Sequence, residues 1–390
     1  MLKILTLNQI AVEGLERFPR DHYELGSAIL DPDAILVRSE QLSAAHLTPR
    51  LCAVARAGAG VDNIPVADLT RQGIVVFNTP GANANSVKES VISALLLSAR
   101  DLVGGVRYVD SLAGLDAGEM HRQVEAEKKR FRGSEITGKT LGVVGLGAIG
   151  SMVADVGLRL GMRVLGFDPA ISVDGAWRLP SDVQKMENLQ ALLARSDYVS
   201  LHVPSIPDTL HLIDDVSLRA VRQGTVLINY ARDEVVDPAA VGRALDAGVL
   251  RRYVSDFPEP GLVGRPDVIF TPHLGASTGE AEVNCAVMAA NQIIDFLENG
   301  NIRNAVNFPA LQLERTGGHR IAFSNYNVPR MLNSVLSVLA DRELNVIDML
   351  NKSRDEIAYN LIDLEQPPSA EALAEIAAID GVVNVRMIEG

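Results

Sequence analysis

The sequence is poor in cysteine. Cys52 and Cys285 are its only two, and neither stands in a metal-ligand spacing. A disulfide framework is excluded, both thiols read as small buried hydrophobes, and no metal is expected. Aromatic residues make up 4% of the chain. The core must therefore be built from Val, Leu, Ile and Ala, which suits a parallel α/β sheet buried on both faces. No apolar run approaches the about 18 residues that a membrane span requires. The opening Met1-Leu2-Lys3-Ile4-Leu5-Thr6-Leu7 reads as a short strand rather than a signal peptide, so the expected compartment is the cytoplasm. Positive charge is also scarce: 36 Lys and Arg stand against 49 Asp and Glu, for a net charge of −13. Such a chain repels nucleic acid and anionic lipid at long range. Neither is an expected partner, and an anionic substrate must be met by a local basic pocket.

What the sequence does contain is alternation. Its 390 residues allow two or three domains, at about 150 residues each. Residues 3–7, 34–37, 53–57 and 75–77 read as buried strands, followed by a helix over 86–99. A second series has strands at 140–144, 163–167, 198–202, 226–229 and 268–271. This βαβα rhythm predicts a doubly wound parallel sheet. A helix over 286–297 ends at Asn299-Gly300, and residues 311–318 read as a linker around Gly317-Gly318. The last stretch reads β (320–324), α (329–342), β (345–351), β (356–364), α (369–379), β (382–388). That βαββαβ order is ferredoxin-like and can form a small domain. Between the two main series lies a charge-rich segment containing Lys128-Lys129-Arg130. It reads as a solvated face, with contact to an anionic substrate as the alternative.

The most specific signal is Gly145-Leu146-Gly147-Ala148-Ile149-Gly150, which follows a predicted strand and opens a predicted helix over 151–160. Gly145 permits the tight turn, Gly147 lets backbone approach a pyrophosphate, and Gly150 lets helix pack near strand. The helix N-terminus adds N–H donors and a positive dipole end. The next strand ends in Gly166-Phe167-Asp168-Pro169. A carboxylate there accepts the adenosine ribose hydroxyls and repels a 2′-phosphate, favouring NAD over NADP.

Oxidising a secondary alcohol by hydride transfer needs a base for the hydroxyl proton and a cation for a substrate carboxylate. Histidine suits the first because it titrates near neutrality. Arg232 follows Asn229-Tyr230-Ala231, Glu259 lies in Asp256-Phe257-Pro258-Glu259-Pro260, and His273 follows Phe270-Thr271-Pro272. Ligands of an open parallel sheet gather at the carboxyl ends of strands, where these residues are expected. His202, at another strand end, is a rival base on the same grounds.

The glycine turn with Asp168, the run Asn229-Tyr230-Ala231-Arg232-Asp233-Glu234-Val235-Val236-Asp237 and the run Pro272-His273-Leu274-Gly275-Ala276-Ser277-Thr278 resemble the D-isomer-specific 2-hydroxyacid dehydrogenases. Arg56-Ala57-Gly58-Ala59-Gly60-Val61-Asp62-Asn63 is similar to that family's carboxylate-gripping loop, and Asn78-Thr79-Pro80-Gly81 to the segment closing the cleft. The resemblance covers essentially the whole chain. It implies Arg232 as carboxylate binder, His273 as acid/base and Glu259 as partner of the base. It implies substrate contacts at Arg56, Ala57, Gly58, Asn78, Arg232 and His273. It implies NAD contacts at Gly145, Gly147, Ala148, Ile149, Gly150, Asp168, Val203, Pro204, Tyr230, Ala231, Arg232, Asp256, His273, Gly275, Ala276 and Thr79. It also implies a flavodoxin-like substrate domain of residues 1–102 and 285–310, with a Rossmann-type NAD domain of 103–284 inserted. One departure stands out: the stretch from Asp256 to Glu259 is shorter than the family's Asp-Val-Phe-x-x-Glu-Pro.

Residues 319–390 resemble an ACT domain, a βαββαβ module that pairs across subunits and binds an amino acid. Asn325, Asn327 and Asn345 fall where such modules carry polar ligands, and Arg330 stands where glycine is usual. The tail implies a homo-oligomer, L-serine as effector and a phosphorylated hydroxy acid as substrate. It argues against glyoxylate/hydroxypyruvate reductases, which generally lack it. A dinucleotide-sensing binding protein without catalysis is the alternative of a different class.

Overall fold

The structure is a computed structural model that describes residues 1–388. It divides into two compact units: residues 1–83 together with the chain from Gly279 onward, and Ala84–Thr278.

The first unit holds a five-stranded parallel sheet of β1 (Leu2–Leu7), β2 (Tyr23–Gly26), β3 (Ala34–Val37), β4 (Ala53–Arg56) and β5 (Val75–Phe77), in the order β2-β1-β3-β4-β5. This is the flavodoxin-like order. Ile4, Ala34, Leu36, Ala53, Ala55 and Phe77 face Cys285, Ala289, Ile293 and Phe296 of the helix Gly279–Asn299. Ile35, Val37, Val54 and Val76 pack into a second cluster on the opposite face.

The second unit is a seven-stranded parallel sheet. Its strands are β6 (Thr140–Val144), β7 (Arg163–Phe167), β8 (Gln184–Lys185), β9 (Tyr198–Leu201), β10 (Thr225–Asn229), β11 (Leu250–Ser255) and β12 (Val268–Phe270). The order is β12-β11-β10-β9-β6-β7-β8, a Rossmann-type arrangement with its switch point between β6 and β9. Clusters on both faces bury β6, β9 and β10 throughout, as the Val- and Leu-rich runs require.

The chain from β13 (His319–Tyr326) through β14 (Val346–Arg354) and β15 (Ile357–Leu364) to β16 (Val382–Ile388) forms an antiparallel sheet in the order β14-β15-β13-β16. With the helices Met331–Asp341 and Ala370–Ala377 it has the ferredoxin-like topology. Alternate residues divide its faces. Ile321, Phe323 and Ile362 pack with these helices, while Ala322, Tyr359 and Leu361 join the core around Phe296 and Phe308.

Three expectations are corrected. The expected breaks at 102/103 and 284/285 fall instead at 83/84 and 278/279. The helix Ala84–Ala99 belongs to the nucleotide-binding unit because Val91, Ala94, Leu95 and Ala99 pack with Val153 and Ala154. The helix expected over 286–297 spans Gly279–Asn299, with Glu280 and Glu282 in its first turn, where the helix dipole favours carboxylates. The expected linker is not free: Leu311 is buried and exchanges backbone hydrogen bonds with Ile302 at 2.8 and 3.1 Å. Among the described residues no helix is long and apolar enough to cross a membrane.

Candidate active site

The glycine turn joins β6 to the helix Ala148–Arg159. Gly145 has φ +86°, and a Cβ there would lie 2.5 Å from the His202 carbonyl oxygen. At Gly150 a Cβ would lie 1.9 Å from the Gly145 carbonyl oxygen. These two positions admit only glycine. Gly147, the helix N-cap, differs: a Cβ there would meet nothing within 4 Å. The turn is therefore closed toward the protein and open on the side where the first N–H groups of the helix lack intrahelical acceptors. Those features fit a pyrophosphate. Asp168 stands just past β7, and its carboxylate accepts the Leu146 N–H at 2.8 Å and the Ala170 N–H at 2.9 Å. It is thereby fixed beside the turn, and the residues fit NAD.

At the end of β10, the buried Asn229 braces the next turn. Its amide donates to the Arg232 carbonyl at 2.8 Å and accepts the Ala231 N–H at 3.0 Å. Arg232 is half-buried and donates to the Ala231 carbonyl at 2.7 Å. At the end of β11, Asp256 is sealed, 2% exposed. One of its carboxylate oxygens accepts the Thr271 hydroxyl at 2.5 Å and the Leu274 N–H at 2.8 Å; the other accepts the Gly275 N–H at 2.7 Å. Its carbonyl accepts the His273 N–H at 2.9 Å. Asp256 thus shapes the whole turn after β12. His273, exposed on that turn, takes φ +56°, a left-handed conformation rare outside glycine. Gly275 is hemmed in by Asp256 and Tyr230, whose hydroxyl lies 3.4 Å from that of Thr271.

The structure thus brings Arg232, Asp256, His273 and Gly275 to the carboxyl ends of the adjoining strands β10, β11 and β12. Val203 and Pro204 follow β9, and Ala148 and Ile149 open the helix after β6. Glu259 is half-buried, but its expected ion pair with His273 is not formed. The aromatic ring of Phe257 meets the imidazole instead, with centroids 5.1 Å apart and planes at 65°. The rival base His202 has its Nε2 2.8 Å from the Ser200 hydroxyl and its Nδ1 buried. Burial pushes its pKa down to about 3, which removes it from base chemistry near neutrality. The Lys128–Arg130 run is a surface feature. Lys128 pairs with Glu125, and Arg130 with Glu127 at 3.4 Å while lying over the Phe131 ring.

In the first unit, Arg56 donates to the Arg38 carbonyl at 3.0 Å and the Gly60 carbonyl at 2.8 Å, curling its own loop around Ala57 and Gly58. Asn78 ties that loop down by donating to the Ala59 carbonyl at 2.6 Å, and the Thr79 N–H donates to the Gly58 carbonyl at 3.0 Å. Arg56 and Asn78 act as braces that present the loop backbone. In the C-terminal module Asn325 is buried and bonded to Asn360 and the Tyr326 carbonyl. Asn327 and Asn345 are exposed and bonded to the Asp355 carbonyl and Glu365. Arg330 has φ +77°, the conformation glycine would take there.

A doubly wound sheet with a pyrophosphate-fitting turn and an acid at the next strand end defines a dinucleotide-binding domain. Residues 111–275 match the family described as D-isomer specific 2-hydroxyacid dehydrogenase, NAD binding domain. The chain is 32% identical over 384 residues to D-3-phosphoglycerate dehydrogenase of Haemophilus influenzae, covering 94% of this chain and 89% of that one. It is 33% identical over 376 residues to the enzyme of that name from Methanocaldococcus jannaschii, covering 94% and 68%. Among solved structures it matches an NAD+-bound 3-phosphoglycerate dehydrogenase of Entamoeba histolytica with a TM-score of 0.62 and 25% identity, over 80% of this chain and 99% of that chain. The chain belongs to the D-isomer-specific 2-hydroxyacid dehydrogenases and is an NAD-dependent oxidoreductase.

Proposed function

We propose that the protein oxidises 3-phospho-D-glycerate to 3-phosphohydroxypyruvate with NAD, the first step of L-serine biosynthesis, in the cytoplasm. The observation that carries the chemistry is the buried Asp256, which fixes the His273 turn at the end of β12 beside the Arg232 turn at the end of β10. The relatives named for this substrate align along 94% of the chain, C-terminal module included in large part.

In this reading Arg232 binds the substrate carboxylate through its guanidinium, which suits bidentate carboxylate recognition. His273 takes the proton from the C2 hydroxyl and returns it in the reverse direction. Bound NAD supplies the hydride acceptor. The first turn of the helix Ala148–Arg159 and the open face at Gly147 hold its pyrophosphate, and Asp168 holds its adenosine ribose. L-Serine as effector of the C-terminal module and a homo-oligomeric assembly belong to the same proposal. Calorimetry with millimolar L-serine tests the effector: no heat removes it.

The deciding experiment is steady-state turnover against a panel of 2-hydroxy acids, with wild type and His273→Ala. We expect 3-phosphoglycerate to be the preferred substrate and kcat of the variant to fall by about two to four orders of magnitude, the usual worth of a general acid/base. A variant rate near wild type removes His273 from the reaction, and no NADH formed from 3-phosphoglycerate removes the substrate.

A further inference from the structure

Between Asp256 and Glu259 stand only Phe257 and Pro258. Pro258 fixes its own φ and brings no N–H to the turn. Glu259 therefore starts the next turn at once: its carbonyl accepts the N–H groups of Leu262 and Val263 at 2.9 and 3.0 Å, and Leu262 is anchored in the core. The charge of Glu259, with that of Asp233, adds to the burial that raises the pKa of the Tyr253 phenol on β11. Among the described residues the histidine–carboxylate pair within reach of an ion pair is His22–Asp21 at 3.7 Å, not one at His273.

The His273 imidazole meets a different neighbour. Its backbone is held by N–H bonds to the carbonyls of Asp256 and Thr271 at 2.9 and 3.0 Å, so the remaining freedom is rotation of the ring about its side-chain bonds. The edge-to-face contact with Phe257, at 5.1 Å and 65°, restricts that rotation. Phe257 is itself tethered: its N–H donates to the Ser255 hydroxyl at 3.1 Å, and Ser255 is fully buried.

We propose that Phe257 is the positioning residue for the His273 imidazole, and that this chain's base works without Glu259 as its partner. The inference rests on His273 as the acid/base. The shortened turn swaps a carboxylate that would both aim and charge-stabilise the ring for an aromatic edge that only aims it. Titratable groups on the turns flanking His273 are Tyr230, Arg232, Asp233 and Glu234 after β10, and Asp256 and Glu259 after β11. The Asp256 carboxylate is engaged by Thr271, Leu274 and Gly275.

The test is the pH profile of kcat and kcat/KM with 3-phosphoglycerate for wild type, Glu259→Gln, Phe257→Leu, Phe257→Tyr and His273→Ala, with NADH fluorescence titration and melting as folding controls. Phe257→Leu is expected to lose kcat by about ten- to a hundredfold, the penalty of a misaimed catalytic group, with KM and NADH affinity unmoved. Phe257→Tyr, which keeps the ring, restores kcat. Glu259→Gln leaves the acid-limb midpoint of kcat/KM in place. A wild-type kcat in Phe257→Leu overturns the proposal. So does a midpoint lowered by about one unit or more in Glu259→Gln, the signature of a lost charged partner. Should Phe257→Leu fail to fold, Phe257→Met is measured against the same criterion, and the Glu259→Gln profile tests independence from Glu259 separately. An undiminished His273→Ala rate overturns the functional reading itself, and so is told apart from a failure of the Phe257 assignment.

Discussion

Arg320 and Asp363 face one another across β13 and β15 as a two-bond ion pair, at 2.6 and 2.8 Å, with side chains 0% and 1% exposed. The remaining guanidinium hydrogens go to the carbonyls of Asn299, Leu313 and Glu314, each at 2.9 Å. All five donors of the arginine are thus used, and the pair fastens the ferredoxin-like sheet to the end of the helix Gly279–Asn299. Tyr359 adds a bond to the Gly300 carbonyl at 2.8 Å.

Asp363→Asn leaves this guanidinium buried without its counter-charge. We expect a loss of about 3–5 kcal/mol in urea denaturation, the cost of breaking a buried pair from one side. Burial pushes the Asp363 carboxyl up, but the hydrogen bonds and charge of Arg320 outweigh it, so its pKa lies below the ordinary 3.8. The pair's contribution is therefore complete above that value and lost as pH falls below it. A urea midpoint in Asp363→Asn equal to that of wild type at pH 7 would contradict the arrangement.

His202 makes the opposite kind of acid limb. Its neutral form is favoured in the fold, with the pKa lowered from 6.5 to about 3 by burial. Below pH 6.5 the unfolded chain takes up a proton that the folded chain refuses, so stability falls as pH falls through that window. From pH 7 to pH 5 we expect the wild type to lose about 1–2 kcal/mol more than His202→Gln in urea denaturation, at about 1.36 kcal/mol per pH unit. The same variant, assayed at neutral pH, retains its turnover if His273 is the base. Loss of turnover comparable to that of His273→Ala would return His202 to the mechanism.

Much of this was legible from residue pattern alone, and the exceptions have physical reasons. β3 and β5 are uninterrupted apolar runs buried throughout, β6 is buried throughout, and β7 has a buried centre, so their bounds follow directly from sequence. β11 is hidden because Arg251 and Arg252 interrupt its apolar run; Arg251 lies exposed and reaches the Tyr198 hydroxyl at 3.3 Å. β2 is a four-residue edge strand with one buried residue, too short for a periodic signal. Arg232 and His273 are legible because strand ends are. The roles of Asp256 and Phe257 are not, since they depend on which backbone N–H groups and which ring a turn happens to face. The burial of Asn325 is likewise set by the register of β13 against β15, while Asn327 and Asn345 are exposed because they stand just outside the strands.

The glycine turn offers a prediction that separates fold from ligand. Gly147 and Gly150 stand three residues apart in one motif, yet the space around them differs completely. A methyl at Gly150 would overlap the Gly145 carbonyl oxygen at 1.9 Å, so Gly150→Ala must displace the turn and should lower the melting temperature as well as NADH affinity. A methyl at Gly147 meets no protein atom within 4 Å, so Gly147→Ala should melt with the wild type. That methyl nevertheless occupies the face where backbone must approach the pyrophosphate, and loss of close N–H contact to an anion there should weaken NADH binding by about tenfold or more, equivalent to roughly 1.4 kcal/mol. Differential scanning fluorimetry and NADH fluorescence titration on the two variants read both quantities. If Gly147→Ala binds NADH as tightly as wild type, the open face of the turn is not where the dinucleotide lies.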